Sequence, residues 1–259
     1  KKTMEMDRRV HSSLHRDAAT SCHNTGLALT QKGSCKEAIN FFEDALRMRK
    51  SLFGQNTAHP DIANCYGNLG SAWHELGDLQ KATNYKELSL KMYRVIYGEA
   101  AVHPDIAMVL SSLGASWITL DTNRAFVYLK EAQEMTRRLY YKPHPDAALS
   151  LNNIGSIWWR SGDLNKAINC YKEALQILRV VHGPSTPHPH IALTLNNLGT
   201  VCSKTGDHMA AIDYYEQALQ VKECMHGPGA AHLETANILS NIGISYMDLE
   251  DHLKARWYF

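Results

Sequence analysis

Fourteen histidines and six cysteines are the residues of this 259-residue chain best suited to chemistry. Imidazole can ligate a metal or move a proton, and a thiolate can ligate or attack. Six of the histidines keep step: His15, His59, His103, His144, His188 and His232 follow one another at intervals of 44, 44, 41, 44 and 44 residues. Three of them, at 59, 103 and 144, open the triplet His-Pro-Asp; His188-Pro189-His190 is a variant, and His15-Arg16-Asp17 and His232-Leu233-Glu234 are worn copies. Such a period sets each histidine in its own loop, roughly 10 Å from the next if helices stack between them. A metal needs its ligands at ~2.1 Å, so the phased histidines read as loop packing and helix starts. His182, His188 and His190 are closer in sequence but have no carboxylate or thiolate companion. Cys22, Cys35, Cys65, Cys170, Cys202 and Cys224 show no C-x-x-C and no regular spacing, which suits small buried hydrophobes kept reduced. Neither a glycine-rich nucleotide fingerprint, a P-loop, an H-E-x-x-H nor a G-x-S-x-G motif occurs. Gly227-Pro228-Gly229 joins two helices and lacks a Lys or Ser/Thr to hold phosphate. No enzyme, cofactor or metal is expected.

The histidines are positioned by a repeat. Eleven residues after each lies a glycine: Gly26, Gly70, Gly114, Gly155, Gly199 and Gly243. Proline suits the first turn of a helix, where its missing N–H is not needed, and the following Asp suits the positive helix N-terminus. Helix A of the fourth repeat carries Leu151, Ile154 and Trp158 on one face. Ser161-Gly162-Asp163 breaks it, and helix B runs from Leu164 to about Val181, with Ala167, Tyr171, Ala174 and Leu178 on one stripe. A glycine inside helix A costs ~1 kcal/mol against alanine. Its recurrence is read as close helix approach, met by the small residues Ala38, Ala82, Ala125, Ala167, Ala211 and Ala255 of helix B. A lone hairpin cannot bury its apolar stripe, so hairpins must stack. The expected repeats are about 15–58, 59–102, 103–143, 144–187 and 188–231, with a partial repeat 1–14, in which Thr3 to His11 ends a preceding helix B, and a truncated one over 232–259. Neither end carries a polar cap, so the chain reads as one solenoid segment cut from a longer array.

Composition agrees with a helical, globular chain: 44% hydrophobic, 20% charged, eight prolines. Net charge is +1 and the isoelectric point about 7.8, against the basic balance of a dedicated nucleic-acid binder and without a polybasic membrane anchor. Mean hydropathy is −0.33, and no apolar run could span a bilayer. The start has no signal-peptide stretch, so a cytoplasmic location is expected.

The pattern resembles the tetratricopeptide repeat. Leu151, Ile154, Gly155, Trp158, Ala167, Tyr171 and Ala174 match its signature in order, as do Leu195, Leu198, Gly199, Cys202, Ala211, Tyr215 and Ala218, and in the first repeat Gly26, Leu29, Ala38, Phe42 and Ala45. The second repeat departs at Lys86 and Ser89, and the third has a shortened turn and Leu129 for the aromatic. The usual period is about 34 residues; with 44 and a Leu-Asn-Asn-(Leu/Ile)-Gly run after the histidine triplet, the chain is similar to the repeats of kinesin light chain and nephrocystin-type proteins. The resemblance implies an all-α, right-handed superhelical solenoid of stacked antiparallel hairpins, working as a scaffold or adaptor with a peptide in its concave groove.

The resemblance also assigns groove positions on the A helices. Nine of the thirty-six are asparagine, and only four are charged, two of each sign: Glu75, Asp248, Arg160 and Lys204. Asparagine is a poor mid-helix residue, but its amide suits the C=O and N–H of an extended peptide. In kinesin light chain the equivalent asparagines hold a cargo peptide, which carries over to Asn152, Asn153, Asn196 and Asn197, and beyond them to Asn24, Asn68 and Asn241. The competing reading is that some bond the neighbouring A helix. Met108, Ala115, Ile118 and Trp159 form a candidate apolar anchor. The balanced groove lacks the cationic set that clamps a C-terminal carboxylate and the basic face that RNA needs. A protein or peptide partner is therefore expected; the alternative is a segment of a multidomain sensor that packs on itself or holds a switch domain.

Overall fold

The computed structural model describes residues 2–227 and 233–259, with side chains described from His15 onward. Pro228, Gly229 and His232 lie outside the described residues, as do the side chains of the first fourteen. Among the described residues there are twelve α-helices and no strand. The chain forms two compact units, residues 1–135 and 136–259.

In the first unit α1 (Lys2–Gln31), α3 (Pro60–Glu75) and α5 (Pro104–Trp117) are A helices, alternating with the B helices α2 (Cys35–Phe53), α4 (Leu79–Tyr97) and α6 (Thr122–Leu139), whose last turn passes into the second unit. The second unit has A helices α7 (Pro145–Arg160), α9 (Pro189–Lys204) and α11 (Leu233–Asp248), and B helices α8 (Leu164–His182), α10 (His208–His226) and α12 (His252–Tyr258). Helices α1 to α5 pack in turn, as do α7 to α12, Leu129 of α6 covers Gly114 of α5, and within each unit each A helix also meets the next A helix. One departure from the sequence reading is at the start. α1 runs unbroken through His15, where one helix was expected to end and another to begin. Arg16 stands where the later junctions have proline, so no backbone donor is missing there.

The histidine triplets are helix caps. His59, His103, His144 and His188 are the N-cap residues of α3, α5, α7 and α9, with extended backbones and proline at the first helical position. In each the ring Nδ1 accepts the backbone N–H two residues on, at 3.1, 3.2, 3.3 and 3.2 Å. Each ring also stacks on the end of the preceding B helix: His59 on Phe53, His103 on Tyr97, His144 on Tyr140 and His188 on His182, at centroid distances of 3.6 to 3.8 Å. Imidazole supplies here both the acceptor that Asp or Ser gives an ordinary N-cap and a flat apolar face. The A-to-B turns are capped by Asp78, Asp163, Asp207 and Asp251, each accepting the amide three residues on at 3.1 Å.

The repeating glycine packs against a different neighbour from the one expected. A Cβ on Gly26, Gly155 or Gly199 would come within 2.6 to 2.7 Å of the ring of Phe42, Tyr171 or Tyr215, and on Gly243 within 2.9 Å of Phe259. The helix-B side chain, and not the small alanine, lies on the glycine. The alanines are fully buried beside it, and at Gly70 and Gly114 an alanine carbonyl, of Ala82 or Ala125, also crowds the site. The irregular second and third repeats fill the aromatic's place with Lys86 and Leu129, each within 2.6 Å of the added Cβ.

Candidate functional site

The A-helix faces sort the expected groove residues into those the fold uses and those it leaves open. Asn152 is buried; its Nδ2 donates to Thr194 Oγ1 at 2.8 Å and to the Ala148 carbonyl at 3.2 Å, tying α7 to α9. Its Oδ1 is buried without a partner among the described residues. The Asn68 amide lies in hydrogen-bond contact with His23 Nε2 at 3.2 Å. Asn241 reaches Asn196 Oδ1 only at 3.5 Å, a marginal bond. Asn64, outside the expected peptide set, accepts the Tyr93 hydroxyl at 2.8 Å. By contrast Asn153 and Asn197 are half-buried, Asn24 is exposed, and among the described residues none of the three spends its side chain on a hydrogen bond.

Apolar groove side chains are also exposed. Trp159 is 40% exposed and does not fold away into the core. Its neighbour Trp158 packs against the core and carries Lys166 Nζ over its ring at 4.3 Å. Met108, Leu193, Ile244 and Met247 are exposed as well. Ile118 is half-buried and forms the C-cap of α5, one residue past the helix. It lies in the first compact unit and Trp159 in the second, so the anchor that pairs them is a proposal. Arg160 and Lys204 are exposed final residues of α7 and α9.

A cavity of about 300 Å³ opens between α9 and α11. Leu193, Asn196 and Asn237 line it beside His190, Lys222 and Glu234. Lys222, buried in α10, donates to the Glu234 carboxylate, closing one wall. Burial and the neighbouring His182 imidazole hold the His190 pKa below the ordinary histidine value. The sequence reading did not include Lys222 or Glu234; the worn triplet at 232–234 was the only signal at that junction.

The first unit has two buried polar clusters instead. Arg49 Nη1 donates to the Asp61 carbonyl at 2.8 Å and to Cys65 Sγ at 3.0 Å, and lies 3.3 Å from His23 Nδ1. Burial, then the Arg49 charge, lowers the His23 pKa; burial raises that of the Cys65 thiol. Lys86, 3% exposed, donates to Ser116 Oγ at 2.8 Å and the Ser112 carbonyl at 3.1 Å, and burial lowers its pKa to about 8. His74 meets the same Ser116 hydroxyl at 3.0 Å. Ser116 is fully buried, so this Lys-Ser-His contact has no route to a substrate and holds α3, α4 and α5 together. No group of three metal-ligating side chains comes together among the described residues, and no described helix is long and apolar enough to cross a membrane.

Comparison with known proteins agrees with the repeat. The tetratricopeptide repeat family matches at residues 18–61, 62–105, 105–180 and 146–223. No curated protein matches the sequence. Among solved structures, BtubC (BKLC) from P. vanneervenii is similar with a TM-score of 0.68 and 22% identity, covering 89% of this chain and 91% of its own. The nearly identical TPR-like repeats of a Podosopora anserina protein assigned to kinesin light chain give 0.63 and 16%, covering 82% and 97%. Rap protein, in complex with Competence and Sporulation Factor, gives 0.69 and 13%, covering 93% and 72%.

Proposed function

We propose that this chain, which belongs to the tetratricopeptide repeat family, is a non-catalytic scaffold that holds an extended peptide along its A helices. The observation that carries the reading is the division among the asparagines. Asn152 is consumed by the helix stack, whereas Asn153 beside it and Asn197, at the register of Asn153 in the next repeat, keep half-buried amides unspent among the described residues. A helix gains nothing from asparagine at such positions, and an amide with both donors and acceptor free matches peptide backbone of any sequence. The cavity beside Leu193, Asn196 and Asn237 offers room for one side chain of that peptide, and exposed Trp159 a flat apolar surface. Arg160 and Lys204, exposed at the helix ends, can take polar groups of the same peptide.

The test begins with capture of partners on the immobilised chain and peptide mapping of what is bound. Trp159→Ala is then compared with the unchanged chain by titration. A loss of about 2 kcal/mol or more is expected for an interface hot spot; equal affinity would move the partner away from this face.

A further inference from the structure

A second cavity, of about 290 Å³, lies on the side of the C-terminal unit formed by the α8–α9 loop and α10. No residue lines both this cavity and the one between α9 and α11. Its lining is mixed: Pro187, Ile191, Leu195 and Val221 stand beside Ser185, Thr186, Gln217 and Gln220, and Arg179 is the one charged side chain among its described lining residues.

An internal comparison shows what is unusual about Arg179. In the first unit the corresponding arginine of α4, Arg94, donates to the Glu131 carboxylate of α6 at 2.7 Å. Arg94 and Arg179 each stand fifteen residues into their B helices, and Glu131 and Gln217 each nine residues into the next B helix. The fourth and fifth repeats thus keep the contact and lose the charge: Arg179 Nη2 donates to the neutral Gln217 Oε1 at 3.0 Å. Asp213 is engaged elsewhere, accepting Gln217 Nε2 at 2.9 Å, which turns the amide oxygen toward Arg179. The Nε of both arginines is buried without an acceptor among the described residues, but Arg94 has its ion pair with Glu131 and Arg179 has none. A guanidinium presents five donors in a planar fork matched to carboxylate, and the side chains of Ile191, Leu195 and Val221 in the same cavity can take an apolar body carried by that anion.

We propose that this cavity binds a small organic carboxylate with an apolar body, its carboxylate on Arg179 and its hydrocarbon against Ile191, Leu195 and Val221. This site is separate from the peptide face and does not depend on it.

N-acetyl-leucine is a suitable probe, with N-acetyl-leucinamide as its neutral control, each titrated into the whole chain and followed by methyl and arginine Nε–H resonances. The acid should shift Ile191, Leu195, Val221 and Arg179 together, and the amide should bind about tenfold more weakly or worse, the loss of one charge-assisted pair. Arg179→Gln should remove the difference between the two. Asp213→Asn with Gln217→Glu, which gives Arg179 an internal carboxylate as Arg94 has, should weaken the acid about tenfold with the helical spectrum unchanged. Equal binding of acid and amide, full binding by either variant, or no shift up to roughly 20 mM probe would overturn the proposal.

Discussion

The imidazole of His188 lies flat on that of His182, with centroids 3.8 Å apart, at the one capped junction of the four where a histidine and not Phe or Tyr stacks on the cap. The next helical position differs too: His190 replaces the aspartate found at 61, 105 and 146. Burial first, then His182 and His190, holds the His188 pKa below the ordinary histidine value. His190, His23 and His74 are shifted the same way, each chiefly by burial. The folded state thus binds fewer protons than the unfolded chain just below the unperturbed histidine pKa of about 6.5. Stability is full above that pH and falls as pH drops through the folded values. Thermal unfolding should show a lower midpoint at about pH 5.5 than at pH 7.5. His182→Phe, which copies the Phe53–His59 stack, should reduce the acid loss; a variant as acid-sensitive as the unchanged chain would remove the His182–His188 pair as a cause.

Lys86 gives a pH dependence at the other end of the scale. Its folded pKa of about 8 lies below the ordinary lysine value of 10.5, so between these values the unfolded chain retains a proton that the folded one has released. Stability should rise with pH across that window, and below it the buried ammonium is a standing cost. Lys86→Met keeps the packing over Gly70 and removes the charge. It should stabilise the fold at neutral pH by about 2 kcal/mol and abolish the alkaline rise, both readable in urea titrations at two pH values.

The glycines should tolerate no branched side chain. At Gly199 a Cβ already lies 2.6 Å from the Tyr215 ring, and valine adds two methyl groups. Gly199→Val should cost about 3 kcal/mol by overpacking, despite the better helix propensity of valine. A melting temperature within a degree or two of the unchanged chain would show that the Tyr215 ring moves aside freely.

The period, the helix order and the turns were legible because His-Pro-Asp, the glycine and the Gly-Asp breaks are local signals, repeated where the chemistry of a helix end requires them. Two things were not. The role of His59 and its counterparts as N-cap acceptors was hidden because histidine is an unusual cap, and the stacking aromatic lies six residues away, or four at Tyr140. The ring that covers the glycine is not legible because alanine and the aromatic share the helix-B stripe; one turn separates Ala167 from Tyr171, and it is the packing of the two helices that sets Tyr171 over Gly155. For the groove, composition identified the asparagines as a set but could not divide them. Asn152 and Asn153 are adjacent, yet one faces Thr194 and is buried while the other is half-exposed.

That division is open to test by stability alone. Asn152→Ala removes a buried donor from Thr194 Oγ1 and should cost about 1–3 kcal/mol. Asn153→Ala should change stability by no more than about 0.5 kcal/mol. Chemical denaturation of the two variants compares them directly; equal costs would place Asn153 in the helix stack as well.

Titration of a captured peptide into the unchanged chain and into Asn153→Ala with Asn197→Ala, at two ionic strengths, bears most directly on the peptide face. Each amide that bonds buried peptide backbone should be worth about 1–3 kcal/mol, so the double variant should bind at least about tenfold more weakly. Affinity should change little with salt, because the groove charges are few and balanced. Unchanged affinity in the double variant, with its helical circular dichroism intact, would contradict the account and move the partner to the B helices or the loops. A steep loss with salt would contradict it in another way, pointing to an electrostatic partner.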